Sequence, residues 1–508
     1  KMNILDEKST GYGTGLTPTA EGLSAAKASL SLAASSFGKT ETYAYTDGKV
    51  TSYISEDKDS DSNAYSKNAD LEKETKKTVK AAKDATLVDV VNGKLTMEEL
   101  VANMSSTELA DLVEGGTYDG LSAGSSSSAV IGSQADSVYG AAGETTSNLY
   151  NSRYIPNIVL SDGPAGIRIT KEYIQYELVG ADATFDANQT YYTGTYSWSG
   201  MNYTEKAIAN ETEFKKLLAD GEKLYTTDNT KYYQYCTAMP IGTLLAQAWD
   251  PAVIEEVGRA VGTEMLEYGV TSWLAPGMNI HRDPICGRNY EYYSEDPLVS
   301  GLTAAAVTDG VQKNKDGSAT GIGVTIKHFA FNNQEASRFG SNSVVSERAA
   351  REIYLKGFEI TVKKSAPMFI MSSYNQVNGA STFQHYGLLT EILRNEWGFD
   401  GFVMSDWQSV FGVKQGSMYY GRNIRAVMMR AGNDCEMPGK NEAQVLKGLE
   451  DGEMRLGDLQ KSAINMLNVI KRTKVFDTMN SKLINSDAAK AAEAAQKAQK
   501  EAEAAKAA

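Results

Sequence analysis

Short β-branched or apolar runs at 158–160, 270–274, 322–326, 368–371 and 402–404 alternate with helix-length amphipathic segments. That alternation is the pattern of parallel strands joined by crossover helices. The clearest helix starts at Asp250, which caps it. Pro251 takes the first turn, Val253, Val257 and Val261 share one face, and Gly269 ends it. Ser346 opens another helix running toward Lys364, and Thr96 caps a third that carries Leu100 and Met104 on one face. Roughly 380 residues of such alternation fit an α/β domain of the (β/α)8, TIM-barrel-like type better than a small doubly wound sheet. Its expected bounds are 86–476.

The flanks are different. Residues 1–85 are rich in Ser, Thr, Gly, Asp and Lys, with strand-like pieces only at 42–45 and 49–54, and predict the irregular end of a β module followed by a linker. Residues 477–508 drift into an Ala, Lys, Glu and Gln tract with no apolar stripe, expected as an exposed helix or a disordered tail. Residue 1 is Lys rather than Met, so the chain is expected to begin inside a longer product.

With 508 residues, 42% of them hydrophobic, the chain can build at least one large core. A net charge of −14 argues against nucleic acid or an anionic membrane as its main partner. No apolar run reaches the roughly 18 residues of a membrane-spanning helix. Cys236, Cys286 and Cys435 are too few and too scattered for a disulfide framework or a zinc ribbon, and are expected as buried thiols. The three histidines are spread too widely for a metal site, with His281 and His385 expected to be structural, and no cofactor is implied. The Ser, Thr and Tyr richness and low cysteine count lean toward an exported or cell-associated bacterial protein, with a cytoplasmic one as the alternative.

The chemistry lies where the apolar runs end. The run at 402–404 leads into Ser405-Asp406-Trp407, one carboxylate beside an indole, an Asp that could equally cap the next helix. The run at 158–160 leads into Ser161-Asp162-Gly163-Pro164 and on to Arg168. Those at 270–274, 322–326 and 368–371 lead toward Arg288, Lys327-His328 and Tyr374. In a barrel these ends surround one mouth, so Asp162, Arg288, Lys327, His328, Tyr374 and Asp406 would converge. A ring of charges and donors about one carboxylate suits a polyhydroxylated ligand, whose hydroxyls each need a partner once they leave water. Arg288 could instead pair with Glu291 or Glu295, and Gly163 and Gly166 could serve the backbone rather than a ligand.

The stretches SDGPAGIR from Ser161, WLAPGMNIHRDPICGRNYEYYSEDP from Trp273, KHFAFNNQEASR from Lys327, MSSYNQVNG from Met371, RNEWGFDGFVMSDW from Arg394 and AGNDCEMPG from Ala431 together resemble glycoside hydrolase family 3, in its β-glucosidase-like branch. The resemblance implies a (β/α)8-like catalytic domain and retaining hydrolysis of terminal β-linked sugars. By position, Asp406 matches the nucleophile and Asp162 the carboxylate that grips the far hydroxyls of the terminal sugar. Arg288, Lys327, His328 and Arg338 match donors to the same ring. Tyr374 matches a residue bonding at the nucleophile, Trp407 the platform beside it, and Arg168 a residue behind the sugar contacts. Cationic donors around Asp406 are expected to lower its pKa.

Retention needs a second carboxyl about 5 to 5.5 Å away. In this branch it comes from an α/β sandwich domain, which some relatives carry before the barrel. The acid is therefore expected from a domain or chain not represented here, with Glu335, on the loop after KHF, as a lesser candidate. A Tyr-rich insert at 171–235, holding Tyr191, Tyr192, Tyr196, Trp198 and Tyr203, is expected either to wall outer sugar subsites or to pack on itself or on another subunit of a homo-oligomer. The rival to a β-glucosidase-like enzyme is a non-catalytic carbohydrate-binding or assembly protein that kept the pocket.

Overall fold

A computed structural model describes residues 44–46, 49–52, 85–116, 137–174, 176–197, 202–413, 417, 419–439 and 441–484. Within the first 84 residues it describes one antiparallel pair, Ala44–Thr46 with Lys49–Ser52, where strand-like pieces were expected. The expected linker and Trp198 lie outside the described residues; of the expected tail, 477–484 finish the helix Lys474–Ile484 and 485–508 lie outside them.

Three short helices open the main domain, each started by a reciprocal capping box that satisfies two otherwise unpaired N–H groups: Thr86 with Asp89, Thr96 with Glu99, and Ser105 with Glu108. Leu100 and Met104 are buried as the helical spacing requires, in a core shared with Leu459, Ala463 and Met466 of the helix Leu456–Ile470.

All five predicted strand runs lie in one seven-stranded sheet. Its order is Phe402–Ser405, Phe369–Ser372, Gly323–Phe329, Ser272–Trp273, Val159–Ser161, Gly143–Thr145, Gly115–Gly116. The first five are parallel neighbours. Crossover helices lie between them, among them Pro297–Gln312 and the predicted Pro251–Tyr268. Asp250 accepts from the N–H groups of Ala252 and Val253, and Gly269 takes the left-handed conformation at the other end, as the sequence predicts. The helix predicted from Ser346 forms too, but its ladder widens to a π-type turn over Ala350–Tyr354.

The barrel departs from eight parallel strands on one side. Gly143–Thr145 runs antiparallel to both its neighbours. The sheet curls without closing fully: the segment around Cys435-Glu436 spans the gap by single bridges to Met404 and to Glu114. Val324, Ile326, Ile370 and Val403 are fully buried inside. Burying each such side chain is worth about 1.5–3 kcal/mol, enough to hold the strand ends rigid.

The Tyr-rich insert folds on itself. It forms a four-stranded antiparallel sheet, a two-stranded one, and the helix Glu211–Ala219 over a small core of Tyr191, Ile208, Phe214 and Leu224. Its base sits where the strands begin. Tyr268, the last residue of its helix, donates from its hydroxyl to the Tyr235 carbonyl, and Gln234 donates to the Tyr139 carbonyl. Val138, Ile169 and Val159, the first residue of its strand, pack there with Tyr268. The base of the insert is thus rooted beside the beginnings of the strands at Val159 and Ser272. Its own core and sheets support the self-packing alternative.

Among the described residues no helix is long and apolar enough to cross a membrane, and no group of three or more His, Cys, Asp or Glu is placed to hold a metal ion. The three cysteines are free.

Candidate active site

Parallel register puts the carboxyl ends of the central strands at one level: Ser372 lies opposite Ser405, and Trp273 opposite Ser161. The side chains that follow therefore share one mouth.

Asp162 follows its strand directly and is held by a turn in which the Arg168 N–H donates to its carbonyl. Gly163 and Gly166 both have positive φ, and a Cβ on Gly166 would sit 2.2 Å from the Thr237 carbonyl oxygen. Both glycines serve the backbone. The buried Trp273 indole tethers this turn by donating to the Gly163 carbonyl at 2.8 Å.

Lys327 and His328 sit in a register irregularity of the strand Gly323–Phe329, between the pairs Ile326 with Ile370 and Phe329 with Ser372. Such a bulge re-aims side chains. Lys327, almost fully buried, donates from Nζ to Oδ1 of Asp162 at 2.6 Å, while Arg168 pairs with Oδ2. Burial alone would raise the Asp162 pKa, but Lys327 and Arg168 together bring it down to about 2. Asp162 is thus a fixed anion with both oxygens oriented.

Asp406 is buried. Its Oδ1 accepts from the Trp407 backbone N–H at 2.7 Å. Its Oδ2 receives no hydrogen bond and lies 3.7 Å from Nε2 of His328. The expected lowering of its pKa is overturned. Burial pushes the carboxyl above its ordinary value, and Arg288, Lys327, the Trp407 N–H and Tyr374 only partly offset that. Burial, then Arg288, Lys327 and Arg338, drive the His328 pKa well down, so the ring is neutral.

Arg288 donates from Nε to Glu291 at 2.6 Å, and its Nη1 lies 3.9 Å from Glu335. Arg288 is thus ion-paired, as the structural alternative expects, and also acts electrostatically on Asp406. Glu295 instead pairs with Arg282. Arg338 donates to Glu335 at 3.0 Å and stacks its guanidinium 4.8 Å from the centre of the Tyr374 ring. The Tyr374 phenol is kept above its usual pKa by burial and by Asp406. Trp407 is pinned by its indole N–H, which donates to the Ala142 carbonyl at 3.1 Å. Glu335 accepts from Asn332 and Arg338 and faces Arg288 as well. His385, buried and neutral, accepts from the Leu388 N–H, a structural role as expected.

Trp273, Asn279, Tyr292 and Asn332 also shape the site, and nothing in the sequence alone singled them out. Asn279 clamps the His328 backbone from both sides, accepting from its N–H at 2.8 Å and donating to its carbonyl at 2.9 Å. Each lies inside a quoted motif, but each acts on a partner that only the folded chain brings near.

Residues 226–469 match the glycosyl hydrolase family 3 N terminal domain. That segment belongs to glycosyl hydrolase family 3. It is 45% identical over 225 residues to beta-glucosidase A of Butyrivibrio fibrisolvens, an alignment covering 44% of this chain and 25% of that protein. It is 37% identical over 253 residues to an exo-alpha-(1->6)-L-arabinopyranosidase of Bifidobacterium longum, covering 50% of this chain and 31% of that one. The structure of beta-glucosidase 3B from Thermotoga neapolitana in complex with glucose superposes with a TM-score of 0.56 at 36% identity, over 76% of this chain and 44% of that one. The chain thus spans roughly a quarter to a third of the curated relatives it matches.

Proposed function

We propose that this chain carries the nucleophile side of a retaining, exo-acting β-glycosidase, a β-glucosidase in the first instance. The observation that supports this most is the state of Asp406: a buried carboxyl with one oxygen fixed by a backbone N–H and the other left without a donor. A nucleophile must have an oxygen free to attack, and Oδ2 meets that requirement.

In this reading Asp162 accepts hydrogen bonds from the far hydroxyls of the terminal sugar, held rigid by Lys327 and Arg168. Arg288, His328 and Arg338 border the ring, and Trp407 offers it a flat apolar face. Oδ2 of Asp406 attacks the anomeric carbon, the bond to the leaving oxygen breaks, and a glycosyl ester forms. Water then hydrolyses the ester. The carboxyls that share cations with Asp406, namely Asp162, Glu291 and Glu335, are all engaged in ion pairs. We therefore assign the acid that protonates the leaving group to a sandwich domain or chain outside the described residues.

This predicts a dependence on the leaving group. A dinitrophenyl β-glucoside, which departs without protonation, should glycosylate the chain by itself. An alkyl β-glucoside should stay intact until the companion domain is added. Binding of glucose with no release of dinitrophenol would favour the non-catalytic alternative. A faster reaction with the α-L-arabinopyranoside would move the sugar assignment toward the second relative.

A further inference from the structure

Behind His328 stands a line of polar side chains that the proposed chemistry does not use. A carboxylate can only accept, so the Asn332 atom 3.0 Å from Oε1 of Glu335 is the amide nitrogen. The same nitrogen lies 3.3 Å from the Tyr292 hydroxyl, which therefore accepts from Asn332 and has its own proton left to give. That hydroxyl is 3.1 Å from Nδ1 of His328. Tyr292 is fully buried and His328 nearly so, which leaves no solvent to take the proton instead. A hydroxyl that donates to Nδ1 requires a bare nitrogen there, so the one proton of a neutral imidazole must sit on Nε2. Nε2 is the atom 3.7 Å from the donor-less oxygen of Asp406. The reciprocal Asn279 bonds to the His328 backbone fix the residue from which the ring projects.

We propose that Tyr292 is a positioning residue: it takes the direction set by Glu335 and Asn332 and fixes His328 as the Nε2–H tautomer, so that an N–H and not a lone pair faces Asp406. The consequence for catalysis rests on the nucleophile role given to Asp406 above. An N–H at that place favours the carboxylate over the acid, while its distance leaves Oδ2 free of a hydrogen bond. A lone pair there would instead favour the protonated, unreactive form. Glu335 is then the anchor of a one-way relay and not a proton donor to the leaving group.

The chain has three histidines, so full-length protein labelled with 15N-histidine gives a spectrum simple enough to read tautomers directly, with His328 identified by its loss in His328→Gln. The expected wild-type pattern is a pyridine-type Nδ1 and a pyrrole-type Nε2 for His328, with the Nε2–H form in excess by about tenfold, the worth of one net hydrogen bond. Tyr292→Phe should remove most of that excess while the His281 and His385 signals, which report the fold, stay in place. Asn332→Ala, which frees the Tyr292 hydroxyl to accept from Nδ1–H, should shift the balance in the same direction. A wild-type His328 protonated at Nδ1, or one whose tautomer is indifferent to both substitutions, overturns the proposal. The spectrum is taken without sugar, so its outcome is independent of whether any glycoside is hydrolysed.

Discussion

Nζ of Lys327 lies 2.6 Å from Oδ1 of Asp162, joining two strand ends 165 residues apart in sequence. With Arg168 on the other oxygen, the pair makes Asp162 an anion at any ordinary pH. A carboxyl with a pKa near 2 in the fold and about 3.9 when unfolded stabilises the fold above pH ~4, and that contribution is lost as pH falls through 2. Asp162→Asn should therefore flatten the pH dependence of the urea midpoint between about pH 4 and 2. It should also weaken sugar binding roughly 10- to 100-fold, since a neutral amide replaces a charged acceptor.

Asp406 responds in the opposite sense. Its pKa is raised by burial and held back chiefly by Arg288 and Lys327, so glycosylation by an activated glucoside should fail below a pH higher than that of an ordinary aspartate. Removing Arg288 disfavours the ionised form further. Arg288→Met should move the acid limb of the rate profile to higher pH. An acid limb that stays in place would remove Arg288 from the electrostatics of the nucleophile.

Glu335 is tied to Arg288, Arg338 and Asn332, and Glu335→Gln should slow glycosides with good and poor leaving groups by similar factors. A general acid would behave otherwise, losing about 10²–10⁴-fold selectively on poor leaving groups. Rate constants across a series of aryl glucosides distinguish the two.

The turn that carries Asp162 offers a test on stability alone. Gly166→Ala places a Cβ against the Thr237 carbonyl at a positive φ and should cost about 1–3 kcal/mol, read as a lower thermal midpoint. Gly180→Ala, in the insert and with open space around it, should change stability by no more than about 0.5 kcal/mol.

The strand runs were legible because their apolar residues are buried on every side, as at Val324 and Ile326, and such runs announce themselves without tertiary context. The antiparallel strand Gly143–Thr145 was not, since three residues with a leading glycine carry no period. The site's members could be named from strand ends and motif likeness, but their charge states could not. His328 is neutral and Asp406 raised because burial outweighs the neighbouring cations, and burial is a property of the fold. The insert's tyrosines suggested a sugar platform by composition, while the contacts that root its base, such as Tyr268 to Tyr235, are invisible in the chain order.

If Asp406 is the nucleophile, its carboxylate oxygen must be the protein atom that bonds to the sugar. Incubating the full chain with 2,4-dinitrophenyl 2-deoxy-2-fluoro-β-glucoside, followed by proteolysis and mass spectrometry, tests this without any other assumption about the site. One fluoroglucosyl adduct is expected on the peptide containing Asp406, absent in Asp406→Asn. An adduct on another carboxylate such as Asp162 or Glu335, or glucose binding without any adduct, would refute the assignment.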